Sequence, residues 1–145
     1  MQTVRVKKLH PNAQLPAFGS ACAAGADLYA CLLEPVTIQP GDTFWVPTGI
    51  ALEVPQGCAG FVYARSSLGA KRGLAPANKV GVIDSDYRGE IRVVLLNHSK
   101  EPQTIQPGER VAQFVIAPVI IPTYVEAEEL EETDRGAGGF GSTGK

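Results

Sequence analysis

At 145 residues, with 19% of them charged and a net charge of −2, the chain has the size of one domain and lacks the basic surplus that a sequence-independent grip on duplex phosphate needs. Its 44% hydrophobic content excludes wholesale disorder, and a domain near this size buries roughly 68–70% of the surface its unfolded chain exposes. The N-terminus, MQTVRVKKLH, has no apolar stretch of the signal-peptide kind, and the greasiest run, Phe114 to Ile121, is broken by Pro118 and stopped by Pro122. The expectation is a cytoplasmic protein that engages neither nucleic acid nor membrane.

In chain order, short β-branched runs recur between turn residues: Thr3 to Val6, Val36 to Ile38, Phe44 to Val46, Ile50 to Val54, Phe61 to Tyr63 and Val111 to Ile116. Sixteen glycines and eleven prolines punctuate them. The spacing of three and four that marks a helix is not sustained anywhere, so one helical turn, around Ser66 to Lys71, is all that is predicted. Val80, Val82 and Ile83 lead into a polar segment and Ile91 to Leu96 lead out of it, which predicts a β-hairpin whose tip carries Asp84, Asp86, Tyr87, Arg88 and Glu90. Asp and Gly are ordinary turn formers, so the tip also reads as a plain soluble turn.

An internal echo organises the chain. Glu34-Pro35-Val36-Thr37-Ile38-Gln39-Pro40-Gly41-Asp42 returns as Glu101-Pro102-Gln103-Thr104-Ile105-Gln106-Pro107-Gly108-Glu109 at a constant offset of 67 residues. Each copy sets Pro-Gly at the centre of a type II turn, where Pro presets the first dihedral and Gly tolerates the positive one. Two strand-turn-strand units predict an all-β fold, a distorted jelly-roll β-barrel with one short helix and a flexible glycine-rich C-terminal tail. The expected division is a jelly-roll domain over 1–125, then an acidic connector (Glu126, Glu128, Glu129, Glu131, Glu132, Asp134) and a glycine-rich lid over 126–145.

Cys22, Cys31 and Cys58 are odd in number, lack CxxC spacing and read as packing residues of a reducing compartment. With only His10 and His98 beside them, no Cys/His zinc framework is present, so any metal would be a hard ion held by oxygens. The chemistry lies elsewhere. Arg135 to Lys145 holds five glycines whose freed N–H groups can wrap an anion, an arginine suited to phosphate, two hydroxyls at Ser142 and Thr143, and an isolated ring at Phe140 that suits stacking on a planar base. Asp27, between small residues in AGADLYA, could be a turn acid or could hold a metal's water shell. Arg65-Ser66-Ser67-Leu68-Gly69 sets a cation and two hydroxyls at the predicted helical turn. Gly108-Glu109-Arg110-Val111-Ala112-Gln113 follows the second turn of the echo. Taken singly these are more often a capping serine, a surface arginine and a sheet-edge glutamine.

Taken in order, AGADLYA, RSSLG, GVIDSDYRGE, GERVAQ and RGAGGFGSTG closely resemble the five motifs of the homotrimeric dUTP pyrophosphatase (dUTPase) family, over nearly the whole chain. Ser67 departs from the glycine that many relatives carry there. The resemblance implies hydrolysis of dUTP to dUMP and pyrophosphate with Mg²⁺, which keeps uracil out of DNA and supplies dUMP for thymidylate synthesis. It implies that Asp84 is the general base and that Tyr87 packs under the deoxyribose. It further implies that Asn78, with the backbone at Val82, Ile83 and Arg92, reads the uracil edge from within the hairpin. Arg65, Ser66, Ser67 and Gln113 would contact the phosphate chain, and Asp27 would steady Mg²⁺ through water. From the tail, Phe140 would cover the base, with Arg135, Gly141, Ser142 and Thr143 completing the lid. The partners implied are dUTP and two further copies of the chain, with sites shared between subunits. Fully extended, the segment 126–145 could reach up to roughly 66–72 Å, enough to arrive at another subunit.

Overall fold

The computed structural model describes residues 3–139. The elements are β1 (Val6–Lys8), β2 (Ala17–Phe18), β3 (Ala26–Tyr29), β4 (Val36–Ile38), β5 (Thr43–Pro47), β6 (Ile50–Leu52), β7 (Cys58–Tyr63), α1 (Ser66–Arg72), β8 (Leu74–Pro76), β9 (Gly81–Ile83), β10 (Arg92–Asn97), β11 (Gln103–Ile105) and β12 (Arg110–Pro118). They form a five-stranded sheet in the order β2-β3-β12-β7-β9, a three-stranded sheet β5-β10-β8, and the pairs β1-β6 and β4-β11. The sheets close on one core in which Leu28, Ile38, Val46, Ile50, Leu74, Ile91, Val93, Leu95, Ile105 and Val111 are buried. This is the jelly-roll architecture, with a single short helix among the described residues. The first strand begins at Val6 rather than Thr3, in register with Leu52, and β6 ends at Leu52, ahead of the Gln56-Gly57 turn that Cys58 N–H closes onto the Pro55 carbonyl at 3.0 Å.

The echo becomes a local two-fold. Its two strands, β4 and β11, pair with each other antiparallel, so that equivalent threonines stand opposite: Thr37↔Thr104, with hydroxyl oxygens 2.8 Å apart. Gly41 and Gly108 take φ of +82° and +75°, and Asp42 N–H and Glu109 N–H donate back to Gln39 and Gln106 carbonyls at 3.0 and 3.1 Å, as type II turns require. The relation runs beyond the repeated letters. Gly41 N–H donates to Asn97 carbonyl at 2.9 Å, and its counterpart Gly108 N–H donates to Ala30 carbonyl at 2.8 Å. The strands that follow the two turns, β5 and β12, then pair with β10 and β3 respectively.

One expectation fails. The runs around 80–83 and 91–96 do not form a hairpin: β9 pairs with β7, at the edge of the five-stranded sheet, while β10 pairs with β5 and β8 in the facing sheet. Tight hairpins use loops of about two to five residues, whereas the connection here runs from Asp84 to Ile91. Ile91 is drawn fully into the core, and its N–H donates to the Ile50 carbonyl at 2.9 Å, which carries the chain across to the other sheet. The two strands therefore splay, and their facing edges line a slot instead of a ladder.

Close packing between β7 and β12 depends on Gly60, where a Cβ would lie 2.2 Å from Cζ of the buried Phe114 ring. Gly60→Ala is expected to cost about 1–3 kcal/mol through overpacking, visible as a lower midpoint in thermal or urea unfolding.

Candidate active site

The splayed strands make the first part of the site. A narrow slot between β9 and β10 is lined by Asn78, Gly81, Val82, Ile83, Arg92, Val93 and Val94. Asn78 sits on a tight turn where Val80 N–H donates to its carbonyl at 2.7 Å and Lys79 takes φ +66°. Gly81 leaves the amide room, since a Cβ there would meet Val62 Cβ at 3.1 Å and Asn78 Nδ2 at 3.4 Å. A flat group entering the slot meets backbone edges that no strand occupies between β9 and β10, with an amide at one end.

Val82, Ile83 and Arg92 continue into a wider, open cleft of about 440 Å³, whose other walls are Trp45, Asp84, Tyr87 and Glu90. Asp84 follows directly on β9 and is exposed; its carbonyl accepts from Tyr87 N–H at 3.2 Å, which turns the chain so that carboxylate and ring share the cleft. The Tyr87 ring folds back over Gly89, where a Cβ would lie 2.3 Å from the phenol oxygen, and the phenol donates to the Glu90 carbonyl at 3.0 Å. Glu90 in turn accepts from Arg92 Nε at 2.7 Å and from Gly49 N–H at 2.9 Å. Burial, and next the Glu90 charge, push the nearby Cys31 thiol up from its ordinary pKa.

A second, polar cavity of about 190 Å³ is lined by Gly19, Ala23, Gly25, Asp27, Arg65, Ser66, Arg110 and Gln113. Asp27, on β3, is almost fully buried and accepts from Arg65 Nε at 2.6 Å and Arg110 Nη1 at 3.3 Å. Arg65 also donates to Ser67 Oγ at 3.0 Å, so this serine braces the arginine that precedes α1. Gln113 donates to the Ala64 carbonyl at 2.8 Å, and Gly25 is pressed against it: a Cβ there would fall 2.8 Å from Gln113 Oε1. One carboxylate against two guanidiniums leaves this cavity cationic, suited to an anion.

The expected residues thus gather in two places. Asn78, Val82, Ile83, Asp84, Tyr87 and Arg92 share the slot and cleft; Asp27, Arg65, Ser66 and Gln113 share the polar cavity, with Ser67 beside it. None of these three cavities contains members of both groups. Arg135 belongs to neither; its Nε donates to the Gly138 carbonyl at 2.8 Å within a tail turn. Phe140, Gly141, Ser142 and Thr143 lie outside the described residues. Glu90 and Arg110, named in their segments but given no role, also line these spaces, as does Trp45, which the sequence did not mark. Trp45 is the clearest omission, since TFWVPT reads as a plain strand and only the pairing of Trp45 with Val94 turns the indole outward, 62% exposed.

Among the described residues no group of three or more His, Cys, Asp or Glu side chains could hold a metal ion. Asp27 is the one carboxylate lining the polar cavity and already faces two arginines, so a protein-built cage is absent there. That fits Mg²⁺, which keeps its waters and binds largely through substrate phosphates. No helix is long and apolar enough to cross a membrane, among the described residues.

The chain is similar to several known proteins over most of its length. A relative from Syntrophotalea carbinolica, a deoxyuridine 5'-triphosphate nucleotidohydrolase, is 50% identical over 142 residues, covering 98% of this chain and 97% of its own. One of the same name from Desulfitobacterium hafniense is 52% identical over 132 residues, covering 90% and 87%. Among solved structures, a variant dUTPase of Staphylococcus bacteriophage 80alpha with dUpNHpp superposes with a TM-score of 0.88 at 28% identity over 100% of both chains. A variant dUTPase from the S. aureus phage phi11, described with a structural Mg(II) ion, gives 0.81 at 25% identity over 90% of this chain and 100% of that one. The family model described as dUTPase matches residues 11–144, and with these relatives it establishes that the chain belongs to the dUTPase family.

Proposed function

We propose that the chain is a dUTP diphosphatase that cleaves dUTP to dUMP and pyrophosphate. The observation that carries this reading is the slot between splayed strands opening directly onto a carboxylate and a tyrosine ring. Uracil enters the slot, where backbone groups of Val82, Ile83 and Arg92 and the Asn78 amide meet its polar edge. A base with a different donor pattern leaves those groups unpaired, which is a strong means of rejection. Tyr87 lies under the sugar and leaves no room for a 2′-hydroxyl.

Asp84 orients a water and takes its proton as the oxygen attacks the α-phosphorus; the new O–P bond replaces the one to the bridging oxygen, and pyrophosphate leaves with the electron pair. Arg65, Ser66, Ser67 and Gln113 hold the phosphate chain. Mg²⁺ would be carried by the phosphates, with Asp27 as the carboxylate nearest its water shell, and would neutralise charge on the leaving diphosphate. From the tail, Phe140 covers the base, while Arg135, Gly141, Ser142 and Thr143 close over the phosphates and exclude water. Release of dUMP supplies thymidylate synthesis, and removal of dUTP keeps uracil from DNA.

The site is completed by neighbouring copies in a homotrimer. Two observations support this: the two residue groups occupy separate cavities, and Ile120, Ile121, Tyr124 and Val125 are more than four-fifths exposed on a segment with neither strand nor helix. An arm so apolar needs another surface. The whole reading is checked by incubating the protein with dUTP and Mg²⁺ and measuring pyrophosphate. Release from dUTP but not from dCTP or UTP is expected, with no ammonia from dCTP; absence of pyrophosphate would sink the proposal. Removing residues 135–145 should leave the unfolding midpoint unchanged and lower turnover by about a hundredfold or more, given the stacking and closure lost.

A further inference from the structure

We propose that Glu90 is the positioning residue of the cleft, holding the Tyr87 ring and the Arg92 guanidinium in one geometry and thereby setting selectivity for the deoxy sugar; this rests on the dUTP reading above. Glu90 is the point where three parts of the site meet. Its Oε2 accepts from Arg92 Nε at 2.7 Å, its Oε1 from Gly49 N–H at 2.9 Å, and its main-chain carbonyl from the Tyr87 phenol at 3.0 Å.

Each of these contacts constrains an atom that faces the cleft or anchors one that does. Tyr87 itself sits on the exposed stretch 86–88, where the Arg88 side chain donates to the local Ser85 and Tyr87 carbonyls and reaches beyond them only through a long, solvent-exposed ion pair to Glu53 at 3.9 Å, so that stretch ties the ring to the core weakly. The tie comes one step later. Glu90 is partly buried, with its side chain 19% exposed, and its carboxylate is fastened to the turn between β5 and β6. That turn is rigid: Gly49 takes φ +67°, and a Cβ there would lie 2.7 Å from Cys31 Sγ and 2.9 Å from Ala13 Cβ. The adjacent residue is fixed to the same turn, through Ile91 N–H to the Ile50 carbonyl at 2.9 Å and Thr48 Oγ1 to the Ile91 carbonyl. The carbonyl that receives the Tyr87 phenol is thus held by the core twice, through the Ile91 N–H of its own peptide unit and through the Glu90 side chain. On its other side the same carboxylate is the salt-bridge partner of Arg92 among the described residues, and it keeps that cation from swinging along the cleft toward Asp84. The pairing also offsets a negative charge that would otherwise face an incoming triphosphate.

The test compares Glu90→Ala and Glu90→Gln with the unmodified protein, measuring kcat and KM for dUTP and for UTP, and the unfolding midpoint. Glu90→Ala removes both carboxylate contacts. It is expected to raise KM for dUTP about tenfold with a smaller change in kcat, and to lower the dUTP-over-UTP ratio of kcat/KM about tenfold. Glu90→Gln retains one acceptor and should fall between the two; it also decides the matter if the alanine variant does not fold. Tyr87→Phe combined with Glu90→Gln should lose little further sugar selectivity beyond Tyr87→Phe alone, because both act on one ring. Variants that lose stability while keeping the unmodified dUTP-over-UTP ratio would overturn the role of Glu90. That outcome differs from an unmodified protein that releases no pyrophosphate from dUTP, which removes the underlying reading.

Discussion

Asp84→Asn is expected to lower kcat for dUTP by about a hundred- to ten-thousandfold, the range lost with a general base, while an unhydrolysed triphosphate analogue still binds. Two features separate these effects. Asp84 is exposed at the end of β9, so the change neither opens a cavity nor strands a buried partner, and the unfolding midpoint should hold. Its negative charge also faces the cleft that would receive the triphosphate, so neutralising it removes a repulsion and cannot weaken binding by that route. Single-turnover kinetics with saturating dUTP and Mg²⁺, beside a titration with the analogue, measure the two quantities separately. Unchanged turnover would exclude Asp84 as the group that takes the water's proton.

Why the fold was legible in the sequence and the hairpin was not comes down to the range of the forces involved. The turns at Pro40-Gly41 and Pro107-Gly108 are written in local dihedral preferences, and the strands after them in alternation, so the echo and the β class could be read from neighbouring letters. Which edges pair is a long-range choice. β9 and β10 look like the arms of one hairpin until β7 and β5 compete for them, and burial of Ile91 settles the competition by sending the chain to the opposite sheet. The slot exists because of that outcome, since strands laddered to each other would have spent the backbone groups that the proposed base recognition uses.

The same limit governs the site. Motif order placed Asp84, Tyr87, Asn78 and Arg92 near one another, but the anchoring contacts span long stretches of chain: Asp27 meets Arg65 and Arg110 across 38 and 83 positions, and Glu90 meets Gly49 across 41. No spacing rule relates such pairs. Asp27 illustrates the consequence. Its sequence context leaves a turn acid or a metal-bound water shell open, whereas its surroundings make it first of all the counter-ion of two arginines.

Mixing two inactive variants should restore activity. Asp84→Asn removes the proposed base from the open cleft, and Arg65→Ala removes a phosphate ligand from the polar cavity; within one chain these groups line separate spaces. If every site in a trimer takes its Asp84 from one copy and its Arg65 from another, randomly mixed trimers from equal amounts of the two variants contain intact sites. A site is intact when the copy lending Asp84 carries the Arg65→Ala change and the copy lending Arg65 carries the Asp84→Asn change. For random assembly that is about one site in four, so activity should rise from near zero to about a quarter of the unmodified value. The two cavities make this a sharp alternative. Were both groups drawn from the same chain, every site in every mixture would lack one of them, and mixing would restore nothing even after subunit exchange had been verified by mass. Arg65→Ala also frees Asp27 from its closer guanidinium partner, which leaves Arg110 at 3.3 Å as the remaining counter-ion, so that variant alone is expected to lose affinity for the triphosphate as well as turnover. The rescued sites, holding an intact Asp27–Arg65 pair beside an intact Asp84, should recover both together.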